Sequence, residues 1–120
     1  MFRFEKLEVW QKAHAMVLEV YKLSAGFPSE ERFRLTNQLC RAAVSVPANI
    51  AEGNARQTTK EYVQFLSVAR GSLEETRYYL LLSRDLGYGE VKQYERLEST
   101  SESISRMLNA LMVALKKRLK

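Results

Sequence analysis

Residues 90–120, EVKQYERLESTSESISRMLNALMVALKKRLK, decide the fold class. Apolar or small side chains recur there in steps of three and four residues, at Leu97, Ser101, Ile104, Leu108, Leu111 and Leu115. Such spacing places the side chains on one face of an α-helix that packs in a bundle. The pattern predicts a helix from about Glu90 to the end of the chain, with one buried face.

Three further helical segments precede this one, separated by the few glycines and prolines of the sequence. The first is predicted from about Glu5 to Ala25 and the second from about Ser29 to Gly53. A third begins at a capping box formed by Thr58 and Glu61 and continues to about Leu86. No alternating strand pattern of useful length occurs. We therefore predict an all-α fold with a single domain over residues 1–120.

Buried faces of the first two helices are predicted from the same periodicity. In the first helix the predicted face comprises Leu7, Trp10, His14, Val17 and Tyr21. In the second helix it comprises Leu35, Leu39, Ala42, Val46 and Ile50. Gly71 in the third helix is predicted to be a close packing contact between helices.

The second helix contains an internal proline, Pro47. Pro47 lacks a backbone donor and crowds the carbonyl of Ala43, so we expect a kink. Polar residues lie along the same helix, at Arg41, Asn49 and Glu52. They either form hydrogen bonds with backbone groups near the proline or contact a ligand, and we favour the first. Gly53 is expected to act as the C-terminal cap of the helix.

Short connections between consecutive helices predict an up-down-up-down antiparallel bundle. The N-terminus, the connection between the second and third helices, and the C-terminus then lie at one end. We call this the basic end, because it gathers Arg3, Lys6, Arg56, Lys60, Lys116, Lys117, Arg118 and Lys120. The net charge is +5, and four of the 19 Lys and Arg residues lie in the basic tail 116–120. At the opposite end, acidic and basic residues balance.

The third helix carries more apolar surface than a helix exposed on one side needs. Residues 78–82, YYLLL, are apolar for more than one turn. Excess apolar circumference is typical of a helix with a partner, so Tyr78, Tyr79 and Leu82 are predicted to form a subunit interface. The Arg70, Arg77 and Arg84 side chains share one face with Glu74 between them. We favour a solvated ion-pair stripe over a ladder for phosphates.

Residues for catalysis or metal binding are scarce. Di-iron bundles need two Glu-x-x-His motifs, whereas this chain has one histidine, His14, which we expect to be buried and hydrogen-bonded. Cys40, the one cysteine, has no predicted histidine or helix N-terminus beside it to activate it. We therefore predict no enzymatic activity, no metal and no cofactor. The single cysteine and the lack of a signal peptide or membrane span predict a cytoplasmic protein.

Residues 41–53, RAAVSVPANIAEG, resemble the four-helix-bundle proteins encoded in bacterial 23S ribosomal-RNA intervening sequences. Three other segments agree in the same order: 7–13, LEVWQKA; 27–31, FPSEE; and 69–74, ARGSLE. The resemblance implies four antiparallel helices and a homopentamer. The related accessory variability proteins of diversity-generating retroelements are similar bundles that form basic pentamers and bind a reverse transcriptase and nucleic acid. The resemblance implies no catalytic residue.

Two functions are compatible with these features. The first is a homo-oligomer that binds nucleic acid, RNA in preference to DNA, through the basic end. The second is a scaffold that recruits a protein, such as a reverse transcriptase or a ribosome-associated factor, without touching nucleic acid itself. Neither function involves a membrane.

Overall fold

The computed structural model describes residues 1–119, and Lys120 lies outside the described residues. Four α-helices make up most of this part of the chain: α1, Glu8–Ser24; α2, Leu35–Asn54; α3, Thr59–Asp85; and α4, Val91–Lys117. Short 3-10 helices at Arg3–Lys6 and Ser29–Glu31 precede α1 and α2. Residues 1–119 contain no strand, as predicted for an all-α protein.

The four helices form a closed antiparallel bundle of about 48 × 24 × 22 Å. Each helix contacts its neighbours in sequence, and α1 also packs on α4. Between α2 and α3, Ser45 Oγ lies 2.8 Å from Ser72 Oγ, whereas Gly53 near the end of α2 faces Tyr62 near the start of α3. Ser45 precedes Gly53 in α2, whereas Ser72 follows Tyr62 in α3. The two helices therefore run antiparallel. The predicted up-down-up-down bundle is confirmed.

The core confirms the predicted face of α4. Leu97, Ser101, Ile104, Leu108 and Leu115 are buried, while Leu111 is half-buried beside a fully packed Met112. Polar side chains in the core are hydrogen-bonded; for example, Thr76 Oγ1 donates to the Ser72 carbonyl at 2.8 Å. Within residues 1–119 no buried side-chain nitrogen or oxygen lacks a partner. The core is therefore closed without an unsatisfied polar group that would need a ligand.

The buried face of α1 is rotated by part of a turn from the predicted face, so the prediction is wrong there. The face that meets the core is aliphatic, comprising Val9, Ala13, Met16, Val17, Val20 and Leu23. His14 and Tyr21 are exposed, and Trp10 is half-buried. Two stripes with helical spacing overlap in this segment, one aliphatic and one aromatic. The aliphatic stripe enters the core because it carries no ring nitrogen or hydroxyl that would need a buried partner.

The starts of the first two helices lie later than predicted. Leu7 is extended, with φ −79° and ψ 124°, and separates the first 3-10 helix from α1. Residues 32–34 likewise separate the second 3-10 helix from α2, and Arg34, directly before α2, has φ −122° and ψ −109°. The third helix begins as predicted, because Thr58 Oγ1 accepts from the Glu61 N–H at 3.1 Å. Its hydroxyl also donates to the Glu61 carboxylate at 2.9 Å.

Helix α2 runs without interruption through Pro47, which is buried. Asn49 Nδ2 donates to the Ser45 carbonyl at 2.8 Å and to Ser45 Oγ at 2.9 Å. The carbonyl that loses its helical donor at Pro47 is that of Ala43, so Asn49 serves a different carbonyl in the same turn. Ser45 Oγ in turn contacts Ser72 Oγ, and this polar link joins α2 to α3.

Neither of the two helical glycines has the role that was predicted for it. Gly53 is not the C-terminal cap of α2, because the helix continues to Asn54 and Ala55 is its cap. A Cβ at Gly53 would lie 2.7 Å from Phe65 Cβ, so the glycine allows α3 to approach α2 closely. Gly71 is exposed, and nothing lies within 4 Å of a Cβ built on it. The prediction of a close contact there is wrong, because Gly71 points away from the bundle.

Replacing each glycine by alanine separates these roles. Both substitutions gain about 1 kcal/mol of helix propensity, but a methyl group at Gly53 overpacks a tight contact, at a cost of about 1–3 kcal/mol. Gly71→Ala should therefore stabilise the protein, and Gly53→Ala should be less stable than Gly71→Ala by about that cost. Urea denaturation of both variants and the wild type measures the difference. Equal stability of the two variants would show that the α2–α3 contact is not tight.

Candidate nucleic-acid interface

The basic end forms from three separate parts of the chain. Arg3 and Lys6 lie on the first 3-10 helix, whereas Arg56 lies in the short connection from α2 to α3 and Lys60 in the first turn of α3. The last turn of α4 contributes Lys116 and Lys117, with Arg118 as its C-cap. All seven side chains are exposed. The antiparallel topology places them at the same end of the bundle; Lys120 lies outside the described residues.

Six of these seven cations belong to none of the ion pairs formed within residues 1–119. The exception is Arg56, whose Nη2 lies 2.8 Å from Glu52 Oε1. Its guanidinium also lies 4.6 Å from the centroid of the Phe65 ring. Arg56 is thus held by protein partners, while the other six can meet an outside anion.

Acidic side chains at this end are mostly engaged in local hydrogen bonds. The Glu5 carboxylate accepts from the Phe2 N–H, Glu52 accepts from Arg56, and Glu61 accepts from Thr58. Glu8, in the first turn of α1, completes the set of four. Seven described basic residues therefore face four acidic ones at the basic end. A positive surplus remains on the surface.

The opposite end of the bundle has a different character. Arg32, Arg34, Arg84 and Lys92 balance Glu30, Glu31, Asp85 and Glu90 there. The Tyr88 hydroxyl donates to Glu31 Oε2 at 2.9 Å, and this bond to a carboxylate raises the pKa of Tyr88. Burial raises the pKa of the nearby Tyr94, whose hydroxyl donates to Ser83 Oγ. These tyrosines tie the helix ends together, and the surface has no excess of either charge.

An aromatic row lies beside the basic residues of the N-terminal segment, and we define it as Phe2, Phe4, Trp10 and His14. Ring centroids are 5.4 Å apart for Phe2 and Phe4, and 5.0 Å for each following pair. The row joins the 3-10 helix to α1, across the extended Leu7. Gln11 Nε2 donates to the Glu5 carbonyl at 2.7 Å and holds the two parts together.

This row was not predicted from the sequence. Its signal was three aromatic residues among the first ten positions, followed by the histidine one turn after Trp10. Helical periodicity could not reveal it, because Phe2 and Phe4 precede α1 and reach Trp10 only through the turn at Leu7.

The predicted interface residues of α3 are not equally exposed. Tyr78 is 56% exposed, whereas Tyr79 and Leu82 are half-buried and pack against the core. Leu81, which was not predicted, is 44% exposed. Tyr78 and Leu81 line a groove of about 410 Å³ between α3 and α4. The exposed apolar surface of α3 is therefore centred on Tyr78 and Leu81.

The arginines of α3 have protein partners. Arg77 Nη1 lies 3.1 Å from Glu74 Oε1, as an ion-pair stripe requires. Arg84 pairs with Asp85 at 3.3 Å, and Arg70 donates to Asn109 Oδ1 on α4 at 3.1 Å. These side chains are better accounted for by contacts on the bundle surface than by a ladder for phosphates.

Arg41 lies exposed at a shallow depression between α2 and α3. No ion pair within residues 1–119 involves it.

In the part of the chain that the structure describes, residues 1–119, no three His, Cys, Asp or Glu side chains gather where they could hold a metal ion. None of the helices formed there is long and apolar enough to cross a membrane.

Comparison with known proteins shows similarity to one protein family and to solved structures of the same fold. A family model described as 23S rRNA-intervening sequence protein matches residues 5–110. The fold is similar to the crystal structure of a protein of unknown function from the S23 ribosomal protein family of Bacteroides thetaiotaomicron, with a TM-score of 0.79 and 26% sequence identity. That likeness covers 87% of this chain and 97% of the other. No curated protein sequence matches the chain.

Proposed function

The chain belongs to the 23S rRNA-intervening sequence protein family, and on that premise we propose that it is a non-enzymatic, cytoplasmic homo-oligomer that binds nucleic acid through its basic end. RNA is the preferred ligand, and the pentamer implied by the sequence resemblance is the proposed assembly. The observation that carries the proposal is a set of six exposed cations at one end of the bundle that form no ion pair within residues 1–119.

Oligomerisation would strengthen this charge. A ring of identical subunits repeats the basic end around one axis, so the potentials add and several weak phosphate contacts act together. Binding dominated by phosphates depends strongly on salt and weakly on sequence. Lys60 should contribute more than Arg56, because Arg56 is already paired with Glu52 and stacked on Phe65.

Removing the cations of the tail tests the proposal. The variant carries Gln in place of Lys116, Lys117, Arg118 and Lys120. It should bind a 20-nucleotide single-stranded RNA more weakly. The slope of log Kobs against log[salt] should also flatten by up to about 3, since each phosphate contact on a single strand contributes about 0.7. A fluorescence anisotropy titration at several salt concentrations measures both quantities.

A matched control removes four positive charges from the opposite end, with Gln in place of Arg32, Arg34, Arg84 and Lys92. Both variants have the same net charge, so a general loss of electrostatic attraction would weaken them equally. The proposal requires the tail variant to lose more affinity and more salt dependence than the control. Equal losses would contradict a localised interface.

The exposed apolar surface of α3 is the proposed contact between subunits. Leu81→Glu places a charge at its centre and should lower the mass measured by light scattering toward the 13.9 kDa of one chain. Leu82 is a poorer site for this test, because it packs against the core and its replacement would also disturb the monomer.

Leu18→Glu on α1 is the control, since Leu18 is a leucine of similar exposure, 52%, on a different helix. We expect its mass to equal that of the wild type. An oligomer that survives Leu81→Glu but dissociates with Leu18→Glu would move the interface from α3 to α1.

A protein-recruiting scaffold is the alternative function. The groove between α3 and α4 favours it, because the groove combines exposed Tyr78 and Leu81 with Arg77, Arg84 and Glu98 along its walls. In that case the groove would hold a partner protein and the basic tail would add only solubility. A specific protein that stays bound after nuclease treatment, together with no RNA binding by the purified protein, would support the scaffold.

A further inference from the structure

We propose that the aromatic row is a base-stacking platform, on which single-stranded nucleic acid places its bases while the basic end binds its phosphates. This inference rests on the proposed function and adds the part of the ligand that the cations cannot recognise. Phosphate contacts alone do not distinguish a single strand from a duplex, whereas stacking needs unpaired bases.

The geometry of the row suits this role. Phe2 lies nearly parallel to Phe4, at 10°, and His14 nearly parallel to Trp10, at 11°. Phe2 is 70% exposed and His14 is exposed as well, so the row has an open ring at each end. Proteins that bind single strands use phenylalanine, tyrosine, tryptophan and histidine rings in this way.

Packing of the N-terminal segment does not account for the whole row. Phe4 and Trp10 are half-buried, and their contact joins the 3-10 helix to α1 together with the Gln11–Glu5 hydrogen bond. The terminal rings of Phe2 and His14 remain largely in water, where they contribute little to the core. A terminal ring that stays open to solvent is therefore placed to stack on something outside the chain.

The surrounding charge favours a nucleic acid over an isologous contact with a second copy of this protein. Arg3 and Lys6 lie on the same 3-10 helix as Phe4, and the exposed Lys116 and Lys117 of the α4 terminus lie at the same end of the bundle. A symmetric contact between two copies through this surface would bring like charges together, which disfavours association. A polyanion with planar bases complements both features of the surface.

The inference is tested with two twelve-nucleotide ligands that carry the same phosphates: oligoadenylate RNA and an abasic strand of equal length. Wild-type protein should bind oligoadenylate about tenfold more tightly, which is the scale of one base–aromatic stack. The double variant Phe2→Leu with His14→Leu keeps apolar side chains but removes both terminal rings. It should lose the tenfold preference and retain its affinity for the abasic strand.

The matched control is Phe2→Tyr with His14→Tyr, which keeps a ring at each position and should keep the preference for bases. Thermal melting followed by circular dichroism checks that both variants remain folded, as expected for exposed positions. A preference retained by the leucine variant, or equal binding of the two ligands by the wild type, would overturn the stacking platform and leave phosphate binding intact.

Two further outcomes also overturn it and are distinguishable. If neither ligand binds in a salt-dependent manner, the proposed function fails together with the platform. If the leucine variant has a lower mass in light scattering while the tyrosine variant does not, the row is a contact between subunits.

Discussion

The close antiparallel return of α3 along α2 is the constraint on which the rest of the molecule depends. Only residues 55–58 connect the two helices, so α3 must reverse direction at once. Gly53 makes room for Phe65 at the crossing, and the Ser45–Ser72 hydrogen bond fixes the register further along. With this pair in place, α1 and α4 close the bundle and bury one apolar face each.

The same constraint creates the candidate interface. Because consecutive helices alternate in direction, the start of α1, the α2–α3 connection and the end of α4 meet at one end. Lys116 and Lys117 also have a local role there, since positive side chains stabilise the C-terminal turn of a helix. The aromatic row adds flat apolar surface beside the charges. One end of the bundle thus presents positive charge beside flat aromatic rings, while the other end is neutral.

Periodicity predicted the four helices, because burial of one helical face repeats along the sequence, and the short connections between the helices predicted the topology. It failed where two stripes compete or where contacts cross a turn. In α1 the aliphatic stripe excluded His14 from the core, which spacing alone could not decide. Gly53 and Gly71 look alike in sequence, yet only the packing of α3 distinguishes the tight contact from the open one. The aromatic row depends on the backbone of Leu7, which no periodic pattern encodes.

Ultraviolet cross-linking to a photoreactive single-stranded RNA tests most directly whether one end of the bundle is the binding surface. Mass spectrometry locates the modified peptides. Cross-links should concentrate in residues 2–14, 56–60 and 116–120. The neutral end, residues 26–34 and 84–92, should remain largely unmodified. Cross-links centred on the neutral end, or on the groove beside Tyr78 and Leu81, would contradict the account.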